Sequence, residues 1–103
     1  MARTPSSDPG LLITLSLADG DKHGYAIMKD IEGFAGLTLG AGTLYGALAR
    51  LERAGHIVAL PADDPRRRPY SLTPAGRARL RTQVDSLERW ARVGRLRLAE
   101  ATP

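Results

Sequence analysis

Apolar residues recur along this chain in several rhythms, and each change of rhythm marks a change of structure. Leu11, Leu12, Ile13, Leu15 and Leu17 crowd nearly the whole circumference of a first helix. A helix apolar all round must be buried on more than one side, and in so small a chain the second side is expected to belong to another subunit. Asp8-Pro9 opens this helix with a capping oxygen and a residue of fixed φ. Asp19-Gly20-Asp21 closes it with turn chemistry. From about His23 to Gly33, Ile27, Ile31 and Phe34 stand at steps of four and three. That spacing predicts the inward stripe of a second helix, with Lys29 and Asp30 pointing outward. Gly33, Gly36 and Gly40 bracket Leu37 and Leu39 as a short extended connector. A third helix is expected from about Ala41 to Ala54, with Leu44, Leu48 and Leu51 on one face and Gly55 as its left-handed stop.

The rhythm then shortens. Ile57 to Leu60 and Tyr70 to Leu72 are extended runs on either side of a loop holding three prolines, two aspartates and three arginines, the pattern of a β-hairpin. Thr73-Pro74 repeats the capping signal and opens a last helix reaching about Ala99, roughly 40 Å at 1.5 Å per residue. Along it Leu80, Val84, Leu87, Ala91, Gly94 and Leu98 alternate steps of four and three. This is a heptad seam on a helix too long for the rest of the chain to cover, so dimerisation is expected. The fold class is therefore mainly α with a small β-hairpin: a winged helix-turn-helix plus a long C-terminal dimerisation helix. The expected division is a disordered N-terminal arm at 1–8, ending at the capping Asp8, a winged helix-turn-helix at 9–73, the dimerisation helix at 74–100 and a tail at 101–103.

Composition narrows the chemistry. One hundred and three residues suffice for one small domain but leave little apolar area to enclose a large active site. There is no cysteine, which rules out disulfides and thiolate metal sites and fits a reducing cytoplasm. No apolar run is long enough to span a bilayer, and Met1 to Pro9 lacks the core of a signal peptide, so a cytoplasmic protein without membrane attachment is expected. Net charge is +4, but it is unevenly spread. Met1 to Pro65 carries five basic and eight acidic residues, whereas Arg66 to Pro103 carries ten against three. Such asymmetry suits a polyanionic partner, although a solvated basic helix has the same composition.

On a helical wheel centred on Leu44, Leu48 and Leu51, the opposite face of the third helix holds Gly42, Gly46, Ala49, Arg50 and Arg53. Glycine inside a helix costs about 1 kcal/mol relative to alanine, which asks for a reason such as close approach to another surface. Small residues let a helix axis sink into a DNA major groove, while Thr43, Tyr45, Arg50 and Arg53 reach phosphates or base edges. Beside it, Arg66, Arg67 and Arg68 stand between Pro65 and Pro69 on a stiffened loop, placed for phosphates or a narrow minor groove unless Asp63 and Asp64 neutralise them. Two-fold pairing would set two such helices against a palindromic site with half-sites roughly 34 Å apart or a multiple of that.

Trp90, the sole tryptophan, stands beside the seam. It is either a packing residue or, at a two-fold interface, one wall of a stacking site for a planar ligand. His23 and His56 have no carboxylate cluster at metal-ligand spacing and read as structural or surface residues. No phosphate loop and no nucleophile with a base and orienting partner is present, so neither an enzyme nor a cofactor is expected. Two other classes stay open: a winged-helix protein–protein interaction module without DNA binding, marked by Arg66 to Arg68 paired with Asp63 and Asp64 in an interface, and a ligand-binding dimer.

Several pieces occur in a specific order: His23-Gly24-Tyr25; Gly42-Thr43-Leu44-Tyr45 with Leu48, Leu51 and Glu52; Gly55-His56-Ile57; Arg67-Arg68-Pro69-Tyr70-Ser71-Leu72-Thr73; and Gly76. From about Leu11 to Leu98 the chain resembles the PadR family of bacterial transcriptional regulators, in the short subfamily with a single C-terminal helix. The resemblance implies a winged-helix dimer, usually a repressor, held by the last helix against its counterpart and the partner's first helix. Leu11, Leu12 and Leu15 then join the seam at the interface. It implies DNA contacts from Tyr25, Thr43 and Tyr45, with Lys29 added by position. Trp90 occupies a place similar to that of a tryptophan lining the interface pore for planar aromatic effectors in some members. The chain departs from the family at Gly40, where serine is common, at Gly46, where proline is common, and at Pro74-Ala75, where an acidic pair is common. Losing the serine cap for glycine costs only a few tenths of a kcal/mol, roughly, so the third helix should still start there.

Overall fold

The computed structural model describes residues 8–101. Its elements in chain order are α1 (Pro9–Leu17), β1 (Lys22–His23), α2 (Gly24–Ala35), α3 (Ala41–Arg53), β2 (Ile57–Ala59), a 3₁₀ turn (Pro65–Arg67), β3 (Pro69–Leu72) and α4 (Pro74–Ala101). The molecule is mainly helical with one small antiparallel sheet and a long C-terminal helix, as the apolar rhythm predicts. The arm expected at 1–8 lies outside the described residues except for Asp8. That residue caps α1, its Oδ1 accepting from Gly10 N at 3.0 Å and Leu11 N at 3.4 Å. Of the tail at 101–103, only Ala101 is described, as the last residue of α4.

Packing of α1 corrects one expectation. Leu11, Leu12, Ile13 and Leu17 are all buried inside this single chain, because α1 is surrounded by α2, α3, α4 and β3. Its second apolar side therefore needs no other subunit. Leu11, Leu12 and Leu80, expected at a dimer interface, belong instead to the chain's own core with Ile27, Ile31, Leu44, Leu48 and Ile57. Leu15 is half-buried against that core.

The inward line of α2 is also corrected. Ile27 and Ile31 are fully buried, but Phe34 is 49 % exposed, because α2 runs on two residues past Gly33 and the step of four continues to Ala35. Ala35 packs on the core in its place, and Gly36 ends the helix at φ 69°. Asp30 does not point freely outward: half-buried, its Oδ2 accepts from the buried Ser16 hydroxyl at 2.7 Å. Lys22 holds the adjoining turn, its ammonium donating to Ser16 O and, at 2.6 Å, to Asp19 Oδ1. That neighbour keeps the Asp19 carboxyl below its ordinary range.

The sheet has three strands where a two-stranded hairpin was expected, in the order β1-β3-β2. β2 pairs with β3 through Ile57–Leu72, Val58–Ser71 and Ala59–Tyr70, and β1 adds Lys22–Tyr70 and His23–Pro69 on the far edge. The start of α2 is thereby tied to the end of β3 next to the wing loop. At the other end, Thr73 joins β3 to α4: its hydroxyl donates to Gly55 O at 2.6 Å and accepts from Gly76 N at 3.0 Å. Gly76 follows because a Cβ there would stand 2.0 Å from His56 O, closer than any side chain allows.

Candidate nucleic-acid interface

α3 starts at Gly40, which supplies no side-chain cap, and Leu44 N donates to Gly40 O at 2.9 Å to begin the helix. Leu44, Ala47 and Leu48 are buried and Leu51 half-buried, which turns Gly42, Thr43, Tyr45, Ala49, Arg50 and Arg53 to solvent. Gly46 is half-buried. The nearest neighbour of a Cβ placed there would be Arg50 Nη1 at 3.7 Å, an ordinary contact, so the chain's own packing does not require glycine. Arg50 also edges a groove of about 240 Å³ between α1, α3 and α4, shared with Arg79, His56 and Gln83.

The wing tip is built by Asp64. Its Oδ1 accepts from Arg66 N at 3.0 Å to cap the 3₁₀ turn, and the same carboxylate meets Arg66 Nε at 3.3 Å. One aspartate thus engages one arginine. Among the described residues neither Arg67 nor Arg68 has an ion-pair partner, and both are exposed. The muting that Asp63 and Asp64 threatened reaches Arg66 alone.

Because β1 ties α2 to the wing, residues far apart in sequence meet. An open crevice of about 590 Å³ is lined by His23, Tyr25, Asp64, Arg66 and Arg67, and an adjoining one of about 190 Å³ by Gly24, Tyr45, Pro65, Arg66, Arg68 and Tyr70. Tyr25 is 60 % exposed and carries the Lys29 ammonium 5.7 Å from its ring centre. Lys29 also pairs with Glu32 at 3.6 Å. Tyr25, Tyr45 and the three wing arginines therefore share one surface, while Arg50 and Arg53 are exposed further along α3, Arg50 on the side of the α1–α4 groove. Burial raises the Tyr70 phenol above its ordinary pKa, helped by Glu52 and Tyr45 and opposed by Arg68.

Three residues here were not among the expected DNA contacts. His23 is a helix cap, its Nδ1 accepting from Ala26 N at 3.3 Å, and two residues of β1 are too few to show alternation. Gly24 is buried beneath Tyr45. Tyr70 lines the inter-element crevice, which only strand pairing could reveal.

Trp90 is 62 % exposed and lines a separate hollow of about 250 Å³ with Asp8, Leu11, Thr82, Gln83, Ser86 and Leu87. Of the expected seam, Val84, Ala91 and Leu98 are exposed and Leu87 and Gly94 half-buried. Among the described residues no group of three or more His, Cys, Asp or Glu side chains could hold a metal ion, and no helix is long and apolar enough to cross a membrane.

The model of the transcriptional regulator PadR-like family matches residues 12–82, more than half of the chain. The chain belongs to that family. PadR-like proteins are regulators rather than enzymes, and the solved relatives carry the same winged-helix architecture. A PadR family regulator from Clostridium difficile superposes with a TM-score of 0.79 at 28 % identity, covering 87 % of this chain and 97 % of that one. A transcriptional regulator from Clostridium thermocellum gives 0.74 at 31 % identity over 82 % and 84 %. In sequence, the chain is 39 % identical to the transcriptional regulator Rv3488 of Mycobacterium tuberculosis, over 73 % of this chain and 71 % of that protein. It is 48 % identical, over 82 % of its length, to an uncharacterized 37.1 kDa protein in transposon TN4556 of Streptomyces fradiae, of which it spans only 24 %.

Proposed function

We propose that this PadR-like chain is a homodimeric, sequence-specific DNA-binding repressor of the cytoplasm, with a winged helix-turn-helix at 9–73 that reads DNA and a helix at 74–100 that pairs two copies. The observation that carries this reading is the shared exposed surface of Tyr25, Tyr45 and Arg66 to Arg68 beside the solvent face of α3. α3 enters the major groove of a palindromic operator, with Thr43 and Tyr45 near its start and Arg50 and Arg53 further along, and Gly42, Gly46 and Ala49 permit close approach. Arg67 and Arg68 grip the flanking backbone, and Lys29 and Tyr25 meet the phosphates beside them. Exposure of Val84, Trp90, Val93 and Leu96 along α4 supports pairing with a second copy. Trp90, on the hollow beside α1, forms one wall for a planar aromatic effector that releases the DNA.

Selection of bound fragments from random duplex DNA tests the reading. The expected product is a palindrome with half-sites roughly 34 Å apart, bound with steep salt dependence. Replacing Arg67 and Arg68 by alanine should weaken all duplexes alike and lower the salt slope by about 2, one unit per lost phosphate contact. Absence of both sequence preference and salt dependence would leave the wing and α4 as protein-binding surfaces and overturn the proposal.

A further inference from the structure

Half of Tyr45 faces solvent, as a residue reaching for a groove should, but the far end of its ring lies against Gly24. A Cβ placed on Gly24 would stand 2.5 Å from Tyr45 Oη, 3.0 Å from Cζ and 3.2 Å from Cε1. Unbonded carbon atoms prefer about 3.5 Å or more, so no side chain larger than hydrogen fits at residue 24 while Tyr45 keeps its place. The backbone of Gly24 is ordinary: it has no positive φ and begins α2 after the His23 cap. Glycine is thus matched there to the place of the Tyr45 ring and is not called for by chain conformation.

We infer that Gly24 is a positioning residue for DNA recognition: its missing side chain seats the Tyr45 ring against the first turn of α2 and so sets the tyrosine hydroxyl relative to the wing arginines. The inference rests on the DNA-binding reading above. Residue 24 follows directly on His23, which pairs with Pro69 in β3, so the seat is anchored to the wing. Arg66, Arg68 and Tyr70 line the same crevice as Gly24 and Tyr45. The ring is therefore a strut between recognition helix, α2 and wing. A methyl group at residue 24 displaces the tip of a flexible, half-exposed side chain before it displaces backbone, so the fold survives while the hydroxyl moves.

Full-length parent, Gly24→Ala, Tyr45→Leu and the double variant are compared on the selected operator and on an unrelated duplex. Leucine lacks the three tyrosine atoms that crowd residue 24. Gly24→Ala should weaken operator binding about ten-fold, the size of one base contact, with the unrelated duplex changed by less than about two-fold. The double variant should bind the operator no worse than Tyr45→Leu alone, because the contact that Gly24 protects is already gone. Gly24→Ala failing to fold while the double variant folds supports the same contact. Additive losses, or equal losses on both duplexes, overturn the inference and leave the DNA reading intact. A parent without operator preference overturns both. One readout is independent of DNA: the Gly24 Hα resonances, shifted by the tyrosine ring, should move in Tyr45→Leu, and an unchanged resonance refutes the contact.

Discussion

Leu12 in α1 and Leu96 in α4 are the same side chain on the same kind of element, yet one is 2 % and the other 59 % exposed. Around α1, three helices and a strand close in from every direction, and among the described residues no buried side-chain polar atom lacks a partner. From Glu88 to Ala101, every residue of α4 is exposed except half-buried Gly94. Burying a leucine is worth about 1.5–3 kcal/mol, so the head keeps that stabilisation within one chain and the distal helix leaves it uncollected. Packing, more than helix propensity, stabilises helices in water. The head therefore has what it needs to fold, and the distal half of α4 finds no such cover within this chain.

The strongest way to break that contrast is to charge the exposed seam. Val84→Asp combined with Ala91→Asp should convert two-chain particles into single chains in light scattering at micromolar concentration. It should also cost about a hundred-fold in operator affinity, because the second half-site is no longer tethered to the first. A parent that is already a single chain refutes the pairing of α4.

A gentler comparison truncates one leucine from each region. Leu48→Ala empties the head's core and should cost about 2–5 kcal/mol in urea unfolding at any protein concentration. Leu96→Ala should shift the midpoint less, and by an amount that depends on protein concentration, the mark of a contact between copies. Concentration independence for Leu96 would assign that residue to solvent.

Gly46→Ala probes the head's outer face. Its nearest neighbour would be an ordinary 3.7 Å contact, so the helix should gain about 1 kcal/mol in unfolding while operator binding weakens. Gains in both would mean that glycine is not kept for close approach. The smallest effect concerns Asp19, on the solvent edge of the head. Lys22 lowers its pKa, so the pair's stabilisation is present at neutral pH and is lost as pH falls through the lowered value. Asp19→Asn should melt slightly below the parent at neutral pH and converge with it in acid. A gap that persists in acid would point to turn geometry.

Much of this was legible along the chain because it is local. Caps at Asp8 and Thr73, the stop at Gly55 and the inward leucines of α3 each depend on a few neighbouring residues, and the structure places them as expected. Phe34 was misplaced because two further helical residues change which residue continues the stripe. Asp30 was misjudged because its hydrogen bond to Ser16, fourteen residues away, leaves no periodic trace.

Residue order alone determined the succession of the four helices and the wing hairpin, the uneven charge and the family. Which apolar face finds cover within the chain was decided only when α1 met three helices and a strand, since burial is a property of neighbours and not of a residue type. The same holds for the candidate interface. Two residues of β1 pair with β3 and carry His23, Gly24 and Tyr25 to the wing, and long-range strand pairing of that length has no signature in the sequence.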